Sequence, residues 1–185
     1  EVSSGACGIT KYFNTPVFGM EISFPDKPSP YLKQLKHSAL KRFPFKDNEF
    51  DVVLSVDGYE HLPKSKRRKT LEEMYRVSKK HLLLTTLFGE TKWDRKVLTE
   101  WTPEHKYYRD IFEHKKMGFP SLNEIKDFLR NKKHRVKILN GIHPKLAFYL
   151  MMSEQSTFTM IISRTLLKLL LPAFKLFKGN NRLHF

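Results

Sequence analysis

The chain has 185 residues, a formal net charge of +15, a hydrophobic fraction of 40% and an aromatic fraction of 13%. That length supports one domain with a real core, the composition excludes a disordered chain, and a single cysteine excludes a disulfide framework or a Cys-based zinc site. The excess of lysine and arginine favours anionic partners such as phosphates, nucleic acid or acidic lipid, or serves solubility alone.

The chain opens on a glycine-bearing turn, Glu1-Val2-Ser3-Ser4-Gly5-Ala6-Cys7-Gly8, and any strand feeding that turn is expected to be almost entirely missing. Residues 17–22 form a short apolar run containing an acid, Glu21, and read as a strand. Pro25, Pro28 and Pro30 punctuate the next segment, and a helix is expected from Tyr31 to His37. Phe50 to Val56 is an apolar, β-branched run of the kind that forms a buried parallel strand, with polar residues crowding its end at Asp57. Ser65 is placed to cap a helix carrying Leu71, Met74, Tyr75 and Ser78 at helical spacing, closed by Lys79-Lys80. His81 to Thr86 reads as another buried strand.

Residues 87–120 break the rhythm, with two tryptophans, Tyr107, Tyr108 and two histidines but no sustained period, and read as a long loop or lid. Ser121 is expected to cap a helix from Leu122 to about Arg130, with Glu124 at the capping-box position. Val136 to Leu139 and Phe158 to Ile162 read as strands, and Arg182 to Phe185 as the beginning of another. Strands alternating with helices predict an α/β fold with a doubly wound, mostly parallel sheet, cut at both ends. Residues 1–185 are expected to form a single domain, with 1–90 as its ligand-binding half.

A strand, a glycine turn and an acid 20 residues after Glu1 are the parts of a nucleotide-type crevice: backbone N–H groups approach the ligand, and Glu21 accepts from a ribose diol. The order of several segments carries a family resemblance. Glu1-Val-Ser-Ser-Gly-Ala-Cys-Gly resembles the acidic-x-Gly-x-Gly-x-Gly turn of class I S-adenosylmethionine (SAM)-dependent methyltransferases. Val17-Phe-Gly-Met-Glu21 is similar to their second strand, and Phe43-Pro44-Phe45 through Phe50-Asp51-Val-Val to their "LPF…FD-V-V" segment. Asp57-Gly-Tyr-Glu60-His61-Leu-Pro63 resembles the turn after their fourth strand, and Leu71 to Val77 the helix that follows.

The resemblance covers residues 1–90 and implies a Rossmann-like methyltransferase with SAM as cofactor. It implies that Glu1, Ser3, Gly5 and Cys7 line the methionine part, that Glu21 holds the ribose, that Ala39 and Leu40 flank the adenine, and that Asp57 faces the sulfonium. Ser3 and Cys7 stand where the family has glycines, and Gly8 offers backbone freedom one position late. His61 is the candidate general base, its other reading being a hydrogen-bonded structural histidine, with His105 and His114 as alternatives.

Lys64-Ser-Lys66-Arg67-Arg68-Lys69 reads either as a nucleic-acid patch or as a solvated helix face. In residues 164–178, Arg164, Lys168, Lys175 and Lys178 share one stripe at 100° per residue among leucines and phenylalanines, the pattern of a helix on an anionic membrane surface or one packed over the substrate mouth. No run of about 18 uncharged apolar residues occurs, so a cytoplasmic or membrane-peripheral location is expected. The acceptor implied is a small or lipid-linked molecule methylated at oxygen or carbon. Nucleic-acid methylation and a non-catalytic binding protein on the same scaffold are the alternatives.

Overall fold

A computed structural model of the chain describes residues 1–24, 29–132, 135, 137, 139–140 and 182–184. Strands β1 (Val17–Glu21) and β2 (Leu32–Lys36) pair in parallel, Val17 opposite Leu32 and Glu21 opposite Lys36. Strands β3 (Phe50–Val56) and β4 (Ser78–Leu87) also pair in parallel, connected through the helix α1 (Lys64–Val77). Beyond β4 lie β6 (Arg182–His184), antiparallel to it, and β5 (Leu139–Asn140), antiparallel to β6.

Val2 joins the two groups of strands. It bridges Met20 of β1 in parallel, and its N–H donates to the Leu54 carbonyl of β3 at 2.8 Å. The order across the molecule is therefore β2-β1-Val2-β3-β4-β6-β5. Successive strands run outward in opposite directions from Val2, so Val2 marks the topological switch point where such sheets form their ligand crevice.

One sheet face is covered by α1 and by α4 (Leu122–Leu129), whose Leu71, Met74, Val77, Ile125 and Phe128 are buried against Val53 and Leu84. On the other face Val52, Val56 and Leu83 stay 40–43% exposed. Two further helices, α2 (Lys92–Glu100) and α3 (Lys106–Met117), form an antechamber with its own small core, Val97 and Ile111 packed among Trp93, Trp101, Tyr108 and Phe119. Among the described residues no helix is long and apolar enough to cross a membrane.

Four expectations need correction. Tyr31 to His37 contains a strand rather than a helix: Leu32 and Leu35, three apart, suit a helical face, but the open edge of β1 recruits the segment through a five-residue ladder. Pro63, not Ser65, occupies the N-cap of α1, and no side chain caps it. That helix ends at Val77, and Lys79-Lys80 belong to β4. The expected long loop at 87–120 holds α2 and α3, the first closed by a capping box between Thr91 and Asp94.

Ser121 does cap α4, accepting from the Glu124 N–H. Of the strand expected at 136–139 only Leu139 lies in β5, Lys137 being outside any strand, and residues 182–184 of the one expected at 182–185 form β6, while 158–162 and 164–178 lie outside the described residues.

Candidate active site

The loop after Val2 turns sharply. Ser3, Gly5 and Gly8 all have positive φ, at 58°, 55° and 52°. Ser3 is the costly one, because a left-handed residue with a Cβ sacrifices about 1–2 kcal/mol relative to a right-handed one. At Gly8 a side chain is ruled out doubly: the backbone is left-handed, and a Cβ would lie 2.1 Å from Glu1 Oε2. That carboxylate accepts the Ile9 N–H at 2.7 Å and fastens the turn from below. Burial holds the Glu1 carboxyl above its ordinary range, with the Ile9 N–H opposing the rise.

The turn, the end of β1, the segment after β2 and the end of β3 enclose a cavity of about 410 Å3, within the size range of small-molecule and cofactor sites. It collects Ser3, Gly5, Glu21, Ala39, Leu40, Asp57 and His61 from the residues read as functional in the sequence. Ser38, the other residue considered for the adenine, lines it too. Glu1 and Cys7 do not. Glu1 lies beneath the turn, and Cys7 faces the short helix at Gly8–Lys11, its carbonyl accepting from Thr10 Oγ1.

Glu21 is fixed by two main-chain donors, Gly5 N–H at 3.3 Å and Ile22 N–H at 2.8 Å. The first of these bonds ties the acid of β1 to the glycine turn. Asp57 ends β3 in a left-handed conformation (φ 47°), its N–H donating to the Thr85 carbonyl and its carboxylate accepting from Thr85 Oγ1 at 3.2 Å. Two strained non-glycine residues on one rim are the kind of backbone a binding site retains. Gly58, next in line, has no room for a side chain, since a Cβ there would sit 2.6 Å from the Ser3 Cβ.

The opposite wall is built from side chains. His61 Nδ1 lies 3.4 Å from Glu113 Oε1 of α3, and both residues line the cavity. Behind them His114, 5% exposed, places Nε2 3.4 Å from His61 Nε2 with the two rings edge to face. Burial, and then the neighbouring His61, push the His114 imidazole down to about 4, against the opposing field of Glu113. His105 is elsewhere: it caps α3 through Nδ1 and stacks with Trp101 and Tyr107.

Arg67 anchors this wall. It is 1% exposed and donates through Nη2 to the carbonyls of Glu60, Met117 and Gly118, with Tyr59 beneath its guanidinium and Glu124 at 3.7 Å. Glu60, also buried, accepts from Thr86 Oγ1 at 2.9 Å, and burial lifts its carboxyl above the usual carboxylate range. Arg67 and Glu60 are thus structural, although both fall in segments that read as functional. Glu113 and His37 line the cavity without having been read as site residues. Glu113 lies 52 positions after His61, and only the docking of α3 brings them together.

The cavity offers carboxylates from Glu21, Asp57 and Glu113, beside the apolar side chains of Met20, Ala39 and Leu40. A cationic ligand with a flat aromatic end suits that lining, and a would-be Cβ at Gly5 meets nothing within 4 Å, leaving open space where a ligand approaches backbone. Residues 1–84 match the family described as a methyltransferase domain. Over that segment, a little under half of its length, the chain resembles a methyltransferase domain. The matched segment runs from the glycine turn into β4.

Among solved structures, one supports the fold and two stand beside it as weaker likenesses. The plantazolicin methyltransferase BpumL, solved in complex with SAH, is 11% identical, with 99% of this chain and 72% of that one covered and a TM-score of 0.53. A SAM-dependent methyltransferase from Aquifex aeolicus is 18% identical over 75% of this chain and 73% of its own, with a TM-score of 0.47. A Haloferax volcanii complex of the Trm112 methyltransferase activator with a putative methyltransferase gives 17% identity, 60% and 62% coverage and a TM-score of 0.37. No curated protein matches the chain.

Proposed function

We propose that this methyltransferase moves a methyl group to oxygen or carbon of a small or lipid-linked acceptor. The observation that carries the reading is the convergence of Ser3, Gly5, Glu21 and Asp57 on one cavity at the switch point of a methyltransferase domain. Glu21 is the residue to hold a ribose diol, since its two carboxylate oxygens are already oriented by the Gly5 and Ile22 N–H groups. Ser38, Ala39 and Leu40 would flank the adenine, and Ser3 and Gly5 the methionine moiety. SAM, when bound, supplies the activated methyl group, so the protein's contribution is orientation and exclusion of water.

Asp57 and His61 face the cavity at the β3 end and are the side chains proposed to meet the acceptor. The lipid-linked option rests on the basic amphipathic pattern at 164–178. Calorimetric titration with SAM tests the core of the proposal: micromolar binding that weakens in Glu21→Ala is expected, and absent binding would sink it. Co-sedimentation with anionic phospholipid vesicles, comparing the chain with a truncation at Ser163, tests the membrane part.

A further inference from the structure

The His61, Glu113 and His114 side chains form a chain of contacts whose proton positions can be worked out. His114 is buried and its Nδ1 has no hydrogen-bond partner. Its Nε2 faces His61 Nε2 at 3.4 Å, and His61 Nδ1 faces the Glu113 carboxylate at 3.4 Å. A neutral imidazole carries one N–H and one lone pair, so two arrangements exist for a pair of neutral rings sharing one hydrogen bond.

In the first, His114 carries its proton on Nε2 and donates it to His61 Nε2, and His61 then holds its own proton on Nδ1 and gives it to Glu113. Every N–H has a partner, and only a lone pair, on His114 Nδ1, is left bare. In the second, the proton on His114 Nδ1 is an orphaned buried donor, and the bare lone pair of His61 Nδ1 confronts a carboxylate. Orphaned buried N–H groups are rare and cost about 1–3 kcal/mol. A lone pair against an anion adds repulsion. The first arrangement wins on both counts.

We propose that His114 locks neutral His61 as its Nδ1–H tautomer, so that His61 orients Glu113 through its Nδ1–H and the cavity meets a proton acceptor in the carboxylate of Glu113. This rests on the methyltransferase reading of the cavity and changes who performs the proton chemistry in it. An acceptor hydroxyl transfers its proton to a Glu113 oxygen, forming the carboxylic O–H while the electron pair of the broken bond stays on the acceptor oxygen. His61 and His114 act as positioning residues. The other charged groups whose fields reach His114 are Arg67, disfavouring a proton there, and Asp57, favouring it. Its low proton affinity keeps it neutral at pH 7, as the lock requires.

Ring-nitrogen NMR of the full chain labelled with 15N-histidine, at pH 8, reads the tautomer directly and needs no acceptor. Expected for the wild type is a His61 ring protonated at Nδ1 with a bare Nε2. In a Glu113→Gln background, which removes the charge favouring the same tautomer, His114→Phe removes the donor and loses the Nδ1–H preference, whereas His114→Gln, which keeps a side-chain N–H, restores it. A wild-type His61 protonated at Nε2 overturns the proposal, as does a preference unchanged by His114→Phe in that background. SAM titration of the same samples separates the two levels. Failure to bind SAM defeats the functional reading alone, while the tautomer result decides the lock.

Discussion

The two walls of the cavity are made of different material. On the turn side, Ser3 and Gly5 present backbone in left-handed conformations, and the Glu21 carboxylate is held by main-chain N–H groups. On the α3 side, His61 from the turn after β3 meets Glu113 and His114, side chains carried by a helix with its own small core and held to the domain by the buried Arg67. Backbone geometry is fixed by a few local residues and is rigid once the sheet forms. Side-chain geometry on a docked helix depends on how that helix is seated. The first wall suits a constant cofactor, the second an acceptor that differs between proteins of one fold.

Breaking the anchor of the second wall has the largest expected effect. Arg67→Ala removes a buried cation that serves three carbonyls, and stability measured by urea unfolding is expected to fall by about 3–5 kcal/mol. Arg67→Met, which keeps the volume, should recover part of that loss. Breaking the first wall at Glu21→Ala should weaken SAM binding by about ten- to hundredfold, the worth of charged hydrogen bonds at about 1.5–3 kcal/mol, with the unfolding midpoint little changed. Equal losses of binding from substitutions on either wall would erase the distinction between them.

Two smaller effects sharpen it. The folded state raises the proton affinity of Glu60, so it binds protons more tightly than the unfolded chain, and its contribution to stability declines as pH rises above the ordinary carboxylate range. Glu60→Gln, which keeps an acceptor for Thr86, should therefore gain stability over the wild type at pH 8 but not at pH 4, read as the difference in thermal midpoint. Ser3→Gly relieves the left-handed Cβ while adding freedom to the unfolded chain, for a net gain of about 0.5 kcal/mol in the same assay.

The same division governs what could be read from sequence. The β3 run, Glu21 and Asp57 were legible because an apolar β-branched stretch with an acid at its end has a fixed place in a parallel sheet. Segment 31–37 was not: Leu32 and Leu35 stand at helical spacing and fall on opposite faces of a strand, and only pairing with the edge of β1 makes the segment extended. Helices α2 and α3 were hidden by aromatic and histidine content, although Thr91 and Asp94 form a capping box and Trp93, Val97 and Trp101 recur at four-residue spacing. Glu113 carried no local signal. Its place beside His61 comes from tertiary docking across 52 positions.

Ser3 and Gly58 press against each other across the rim, the missing side chain of one making space for the Cβ of the other. Their histories of substitution are therefore coupled in order. Gly58→Ala alone collides with Ser3, whereas the same change after Ser3→Gly enters cleared space beside Ser55, whose hydroxyl can rotate away. A glycine moving from position 58 to position 3 must arrive at its destination before leaving its origin, and that path runs through an intermediate with glycine at both.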